Sequence, residues 1–163
     1  MRIQFVLLLI IPILLVAGCV GQSNAQTNTP GGSTSAITYK TFSDGVFSTE
    51  YPDWPADPQA TSEKVVAVTD GVTCMYGLAN GTVPGGNLSA FMLMAKNEFE
   101  SQNATVAIEQ ASETRGLMTV SFPQPVIKFY FVACGDMAYS ITLFCADSPP
   151  AGLMDKVLAS KCL

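Results

Sequence analysis

The chain contains no histidine. That absence removes the commonest general base, the commonest metal ligand and every Ser-His or Cys-His nucleophile pair. Basic residues are scarce too: 8 Lys and Arg stand against 13 Asp and Glu, for a formal net charge of −5. They form no run or patch, so nothing offers the positive field that nucleic acid or anionic lipid requires. A modest acidic excess in a small domain serves solubility. Tryptophan occurs once, at Trp54. The chain shows no internal repeat and no zinc-type cysteine spacing. No cofactor, no metal and no catalytic activity are expected.

What the chain does have is concentrated at its start. Met1-Arg2 leads into an apolar run over residues 3–17, interrupted by Pro12 and closed by Gly18. A cationic start, an apolar stretch of this length and small residues before a cleavage point make a secretory signal. A membrane-spanning helix needs roughly 20 apolar residues, so an uncleaved anchor is the weaker alternative. Leu15-Val16-Ala17-Gly18-Cys19 resembles the lipobox of prokaryotic lipoproteins. The resemblance implies that residues 1–18 are removed, that Cys19 takes a diacylglyceryl group, and that the chain stays at the extracytoplasmic face of the cell membrane. Two acyl chains suffice for stable anchoring where one does not.

Residues 19–36 are rich in Ser, Thr, Asn, Gln and Gly and carry no charge. Such a segment cannot bury enough surface to offset its ordering entropy, and it reads as a flexible tether. Residues 37–163 are then one domain of ordinary size with one core. It holds Cys74, Cys134, Cys145 and Cys162. With Cys19 lipidated, an even four remain in an oxidising compartment, which points to two disulfides. Free thiols and a redox or metal site are the alternatives. Three pairings exist. A final helix running back along the strand that ends at Cys145 brings Cys162 toward the Gly135-Asp136 turn, which favours Cys134–Cys162 and Cys74–Cys145.

Alternation predicts a strand over residues 46–51, with Phe47 and Tyr51 on one face and Pro52 ending it. Residues 53–58 form a turn-rich loop. Residues 64–69 and 72–78 flank Asp70-Gly71, a two-residue hairpin signal. Asn80-Gly81 and Pro84-Gly85-Gly86 read as loop. Asn87 suits a helix N-cap, and Leu88, Phe91, Met92, Ala95 and Phe99 follow at helical spacing. Strands are expected over residues 105–113, 117–122, 126–133 and 137–145, with turns at Arg115-Gly116, Pro123-Gln124-Pro125 and Gly135-Asp136. A last helix carries Leu153, Met154, Val157 and Leu158. The order β-β-β-α-β-β-β-β-α describes an α+β domain: an antiparallel sheet with an amphipathic helix after the first strands and a C-terminal helix.

Tyr39 and Phe42 precede Gly45-Val46-Phe47-Ser48-Thr49-Glu50-Tyr51-Pro52, and Asp53-Trp54 follows; later, Gly135-Asp136 stands before Met137-Ala138-Tyr139-Ser140-Ile141. This set resembles the PsbP-like family, whose members read F-S-I-x-Y-P before a tryptophan and G-x-x-Y-x-L further on. The resemblance implies a layered α/β/α domain around an antiparallel sheet, over residues 39–163. Its better-known members assist photosynthetic water oxidation as extrinsic subunits. No residue here has chemistry that would demand that role, and fold does not imply function.

Few residues suggest chemistry. Asp44, Glu50, Asp53 and Asp57 suit a calcium loop only in number, since no Asp-x-Asp-x-Asp-Gly pattern orders them; they read as solvated loop carboxylates. Ser62 with Lys64, or Ser160 with Lys161, would need a buried lysine of lowered pKa. Glu109 and Glu113, four apart on a strand, face outward with no cleft between them. Met92-Leu93-Met94 reads as core packing before it reads as a copper site. Asn80, Asn87 and Asn103 each open an Asn-x-Ser/Thr sequon and are candidate glycan acceptors. Trp54 is the candidate contact residue. The function expected is that of a membrane-anchored, non-enzymatic binding or accessory module with an envelope protein as partner. The alternative is a small-ligand or metal-ion binding protein, with a pocket lined by Tyr76, Phe91 and Tyr130.

Overall fold

A computed structural model describes residues 37–58, 60, 65–83, 87–122 and 126–163. In chain order its elements are β1 (Tyr39–Ser43), β2 (Phe47–Pro52), β3 (Val66–Thr69), β4 (Cys74–Thr82), α1 (Leu88–Ser101), β5 (Thr105–Ala111), β6 (Arg115–Ser121), β7 (Val126–Cys134), β8 (Met137–Cys145), α2 (Leu153–Leu158) and β9 (Lys161–Cys162). They make an α+β domain with two antiparallel sheets in place of the expected one. The larger has six strands in the order β3-β4-β8-β7-β6-β5, the smaller three in the order β1-β2-β9.

Alternation along β7 sorts the molecule into two cores, because successive side chains of a strand point to opposite faces. Ile127, Phe129, Phe131 and Ala133 face α1, together with Met118, Val120, Val106 and Ala138. Against them α1 sets Leu88, Phe91, Met92, Ala95 and Phe99, the residues at helical spacing. Tyr130, Val132 and Cys134 face the other way, with Tyr76, Leu78, Tyr139, Ile141 and Leu143. That second core is closed by Phe47 of the small sheet and by Leu153 and Val157 of α2. The result is three layers: α1, the six-stranded sheet, then the small sheet with α2. Each large apolar side chain buried in this way stabilises the fold by about 1.5–3 kcal/mol.

The helix ends follow their sequence signals. Asn87 caps α1 by accepting the Ala90 N–H at 2.9 Å, which satisfies one of the orphan donors of the first turn. At the other end Asn103 takes a positive φ of 63°. Its N–H donates to the Glu100 carbonyl and that of Ala104 to the Phe99 carbonyl, the paired bonds of a Schellman motif. The β7–β8 hairpin turns through Gly135-Asp136, and Gly135 has the positive φ of 62° that a two-residue turn of this kind asks of its first position.

Several boundaries differ from the sequence reading. The Asp70-Gly71 turn is longer than two residues, with β3 ending at Thr69 and β4 starting at Cys74. Asp70 Oδ1 gathers the N–H groups of Val72, Thr73 and Cys74 at 2.8–2.9 Å, so its side chain builds the loop. Asn80 and Gly81 lie within β4, paired with Tyr139 and Ala138. Arg115 and Gly116 belong to β6, and the turn falls at residues 112–114. Neither β1 nor β9 alternates strongly enough to be read from sequence; each exists through its pairing with β2. The expected leader and Cys19, the tether, Ser62, Lys64 and the two proline loops at 84–86 and 123–125 lie outside the described residues.

Candidate functional site

Of the polar side chains that sequence offered for chemistry, Asp44 joins the small sheet to the large one, and Glu50 and Ser160 join the small sheet to α2 and the residues after it. Tyr139 is only 1% exposed and stacks on Phe47 with ring centroids 4.1 Å apart. Its hydroxyl donates to Asp44 Oδ2 at 2.7 Å. Asp44 Oδ1 accepts from the N–H groups of Val46 and Phe47. The Tyr139 hydrogen bond, helped by those two, holds the Asp44 carboxyl below its usual range against a smaller opposing effect of desolvation. Burial first, and the neighbouring carboxylate second, push the Tyr139 hydroxyl up to about 12. Tyr139 is therefore a fixed neutral donor.

Glu50 accepts from Lys156 at 2.6 Å, whose ammonium also lies 5.4 Å from the Tyr39 ring centroid. Asp53 pairs with Lys40 at 2.5 Å. The Asp57 N–H donates to the Ala67 carbonyl. The carboxylates of Asp44, Glu50 and Asp53 thus have separate partners. Among the described residues no group of three or more Asp, Glu or Cys is placed to hold a metal ion.

Ser160 is buried, and its Oγ lies 2.7 Å from Thr49 Oγ1. Its hydroxyl is committed to Thr49, while Lys161 is exposed on β9, so the Ser-Lys arrangement does not form. Glu109 and Glu113 do not share a strand: the β5–β6 register shifts between Ile108 and Gln110, and β5 ends at Ala111. Glu109 accepts from Thr119 at 2.6 Å, and Glu113 sits in the exposed turn beyond.

The pocket expected between Tyr76, Phe91 and Tyr130 is absent for a topological reason. Tyr76 and Tyr130 belong to the second core, whereas Phe91 lies on the other side of the large sheet. There it meets Phe131 edge-on at 5.7 Å. The Tyr76 hydroxyl is buried and has no hydrogen-bond partner among the described residues. Thr49 lies beside it, but the Thr49 hydroxyl is already engaged with Ser160. Desolvation raises the Tyr76 pKa strongly, so this group is no base.

Arg115 is the residue that sequence reasoning undervalued. Projecting from β6, it donates to Tyr130 Oη at 2.9 Å, to the Leu158 carbonyl at 3.1 Å and to the Ser160 carbonyl at 3.0 Å. The planar fork of a guanidinium suits such convergent acceptors. Its only sequence signal was a charged residue before a glycine, which imitates a turn.

Two disulfides complete this framework, Cys74–Cys145 and Cys134–Cys162. They are the pairs expected from the packing argument, although Cys162 lies on β9 and not at a helix end. Trp54 is half-buried against the second core. On α1, Met92 is buried while Leu93 and Met94, 53% and 42% exposed, face outward. The methionine run is therefore divided between core and surface. Among the described residues, those that sequence nominated are engaged separately and draw no reactive cleft. No helix among the described residues is long and apolar enough to cross a membrane. Compared with known proteins, the chain matches no family model and no curated protein.

Proposed function

We propose that the chain is an exported lipoprotein whose domain, residues 37–163, is held at the extracytoplasmic face of the cell membrane and acts by binding, as a non-enzymatic accessory module of the envelope. The distribution of its cysteines carries this reading. Of five cysteines, four are joined in two disulfides. The fifth is Cys19, which follows the apolar run and Leu15-Val16-Ala17-Gly18. Disulfides persist in oxidising compartments, so the domain and the leader point to the same address. The dispersed carboxylates and the absence of histidine favour binding over catalysis. Trp54, half-exposed in the loop after β2, is the contact residue of this reading, with an envelope protein as its partner.

The resemblance to the PsbP-like family enters as a proposal about architecture. A helix layered on an antiparallel sheet, with the Phe47-Ser48-Thr49-Glu50-Tyr51-Pro52 strand in the opposite layer, supports it. A photosynthetic role is not part of the proposal, because it would rest on fold alone.

The test is the intact mass of the full chain extracted from membranes with detergent, before and after reduction and alkylation. The expected species begins at Cys19, carries diacylglyceryl, and takes four alkyl groups only after reduction. Cys19→Ser is expected to lose the lipid mass and the detergent requirement. An unlipidated chain beginning at Met1 overturns the anchor, and four cysteines alkylated without reduction overturn the oxidised compartment.

A further inference from the structure

Three sequons occur in the chain, and their surroundings separate them. Asn80, in Asn80-Gly81-Thr82, is a half-buried residue within β4, directly opposite Tyr139 on the neighbouring β8. A glycan there would have to leave the face that carries the second core. Asn87, in Asn87-Leu88-Ser89, has its Oδ1 held by the Ala90 N–H at 2.9 Å. Its amide is thereby fixed at the mouth of α1, beside the fully buried Leu88.

Asn103, in Asn103-Ala104-Thr105, differs in each respect. It occupies the left-handed position that ends α1, and the Schellman bonds of that turn are made by backbone groups alone. Its side chain is exposed, has no capping duty, and makes no hydrogen bond among the described residues. Ala104 is buried against the first core, 8% exposed, and it anchors the turn. Thr105, the residue that supplies the sequon hydroxyl, is exposed at the start of β5. Because β5 ends the large sheet, no strand among the described residues pairs with its outer edge. The turn therefore presents an amide and a hydroxyl to solvent on a rigid, well-anchored backbone.

We infer that Asn103 is an N-glycosylation site, used when the chain is exported; the inference rests on the export proposed above. The donor is a sugar chain carried on a polyprenyl phosphate or diphosphate. Nδ2 of Asn103 forms a bond to C1 of the first sugar, the bond from C1 to the phosphate oxygen breaks, and the polyprenyl phosphate or diphosphate leaves with that oxygen. One amide proton passes to the transferase, and no electron changes hands. A sugar chain at this position is bulky and hydrated, and it shields the end of α1 together with the start of the edge strand β5. Open edges of this kind invite pairing with other chains.

The experiment is peptide mass spectrometry on the full chain taken from the membranes of the cells that make it, reduced, alkylated and cut with trypsin. Cleavage after Lys64, Lys96 and Arg115 puts Asn103 alone in the peptide 97–115, and Asn80 with Asn87 in the peptide 65–96. Sugar masses are expected on 97–115, with 65–96 unmodified. Thr105→Ala should abolish the added mass, and Thr105→Ser, which keeps the hydroxyl and the packing, should retain it. An unmodified 97–115 from a chain whose N-terminal peptide is lipidated overturns the glycan and leaves the anchor standing. Sugar on 65–96 alone, or sugar that survives Thr105→Ala, overturns the assignment to Asn103. An unmodified 97–115 from a chain that is also unlipidated at Cys19 overturns both.

Discussion

The hydroxyl of Tyr139, on a central strand of the large sheet, donates to the carboxylate of Asp44 at the tip of the first hairpin across 2.7 Å. The contact joins the two sheets at one end, directly beside the stacked rings of Phe47 and Tyr139. The Cys134–Cys162 disulfide and the Arg115 hydrogen bonds to the Leu158 and Ser160 carbonyls tie the same layers, while Thr49–Ser160 and Glu50–Lys156 join β2 to α2 and the residues after it. The second core is thus ringed by polar and covalent contacts, whereas the first is closed by α1 through apolar packing.

The Tyr139–Asp44 contact should weaken at both extremes of pH. The Asp44 carboxyl is depressed in the folded state, so its contribution is present above the unfolded pKa of about 4 and is lost as pH falls through the folded value. The Tyr139 hydroxyl is raised from 10.0 to about 12. Its contribution is present below pH 10 and is lost as pH rises toward 12. Tyr139→Phe and Asp44→Asn should each flatten both arms of a plot of Tm against pH. An unchanged acid arm in Asp44→Asn would show that other carboxylates set it.

Removing the Tyr76 hydroxyl should stabilise the protein. Among the described residues Thr49 lies beside that buried hydroxyl, and no hydrogen bond of ordinary geometry forms to it; an unsatisfied buried hydroxyl costs about 1–3 kcal/mol. Tyr76→Phe keeps the ring and its contact with Tyr51, whose centroid lies 6.2 Å away. A gain of about 1 kcal/mol in denaturant unfolding, at unchanged m-value, is the expected result. A loss would mean that Thr49 serves Tyr76 at the expense of its bond to Ser160.

How much of this was legible in the sequence follows a physical division. Elements that carry their own apolar pattern were plain: the Leu88–Phe99 spacing of α1, the Asn87 cap, and the long β7–β8 hairpin about Gly135-Asp136. Elements that exist through pairing were not. β1 exposes Lys40, Thr41 and Ser43, β9 has two residues, and neither shows an apolar rhythm. Asn80-Gly81 has the composition of a turn but is held in β4 by a full ladder to β8. The imagined pocket failed for a related reason, since strand alternation puts Tyr76 and Phe91 on opposite sides of the sheet and spacing alone does not say so. Of the features that bear on function, the cysteine pairing came closest to being read, because the topology leaves few partners within reach.

Arg115 should prove a positioning residue for the C-terminal segment. Its three hydrogen bonds end on Tyr130 and on the carbonyls of Leu158 and Ser160. Arg115→Ala should cost about 2–3 kcal/mol, in the range for hydrogen bonds to a charged group. Amide exchange should quicken over residues 158–163 before it does elsewhere. Arg115→Lys should recover little, since a single ammonium does not span the three acceptors. Uniform acceleration across the domain would place the loss in the core instead.

The two disulfides should differ in what their removal releases. Cys74 and Cys145 are register partners on β4 and β8. The Ala146 N–H bonds to the Thr73 carbonyl just beyond them, which makes them a non-hydrogen-bonded pair with closely set backbones, 4.1 Å between Cα atoms. This bond lies inside the central ladder and spans 71 residues of sequence. The other spans 28 residues and fastens the short strand β9 to the end of β7. Each is expected to contribute about 2–4 kcal/mol, slightly more for the longer loop on the chain-entropy model. With Cys74 and Cys145 both changed to Ala, the ladder remains, so unfolding should stay a single cooperative transition at lower Tm. With Cys134 and Cys162 both changed to Ser, residues 161–163 keep, among the described residues, their pairing with β2 and the hydrogen bond from the Leu163 N–H to the Val46 carbonyl. That variant should lose amide protection at its C-terminus well below the global transition. Comparing exchange at residues 161–163 with that of β7 in the two variants decides the matter, and equal protection in both would show that β9 is held by its backbone pairing alone.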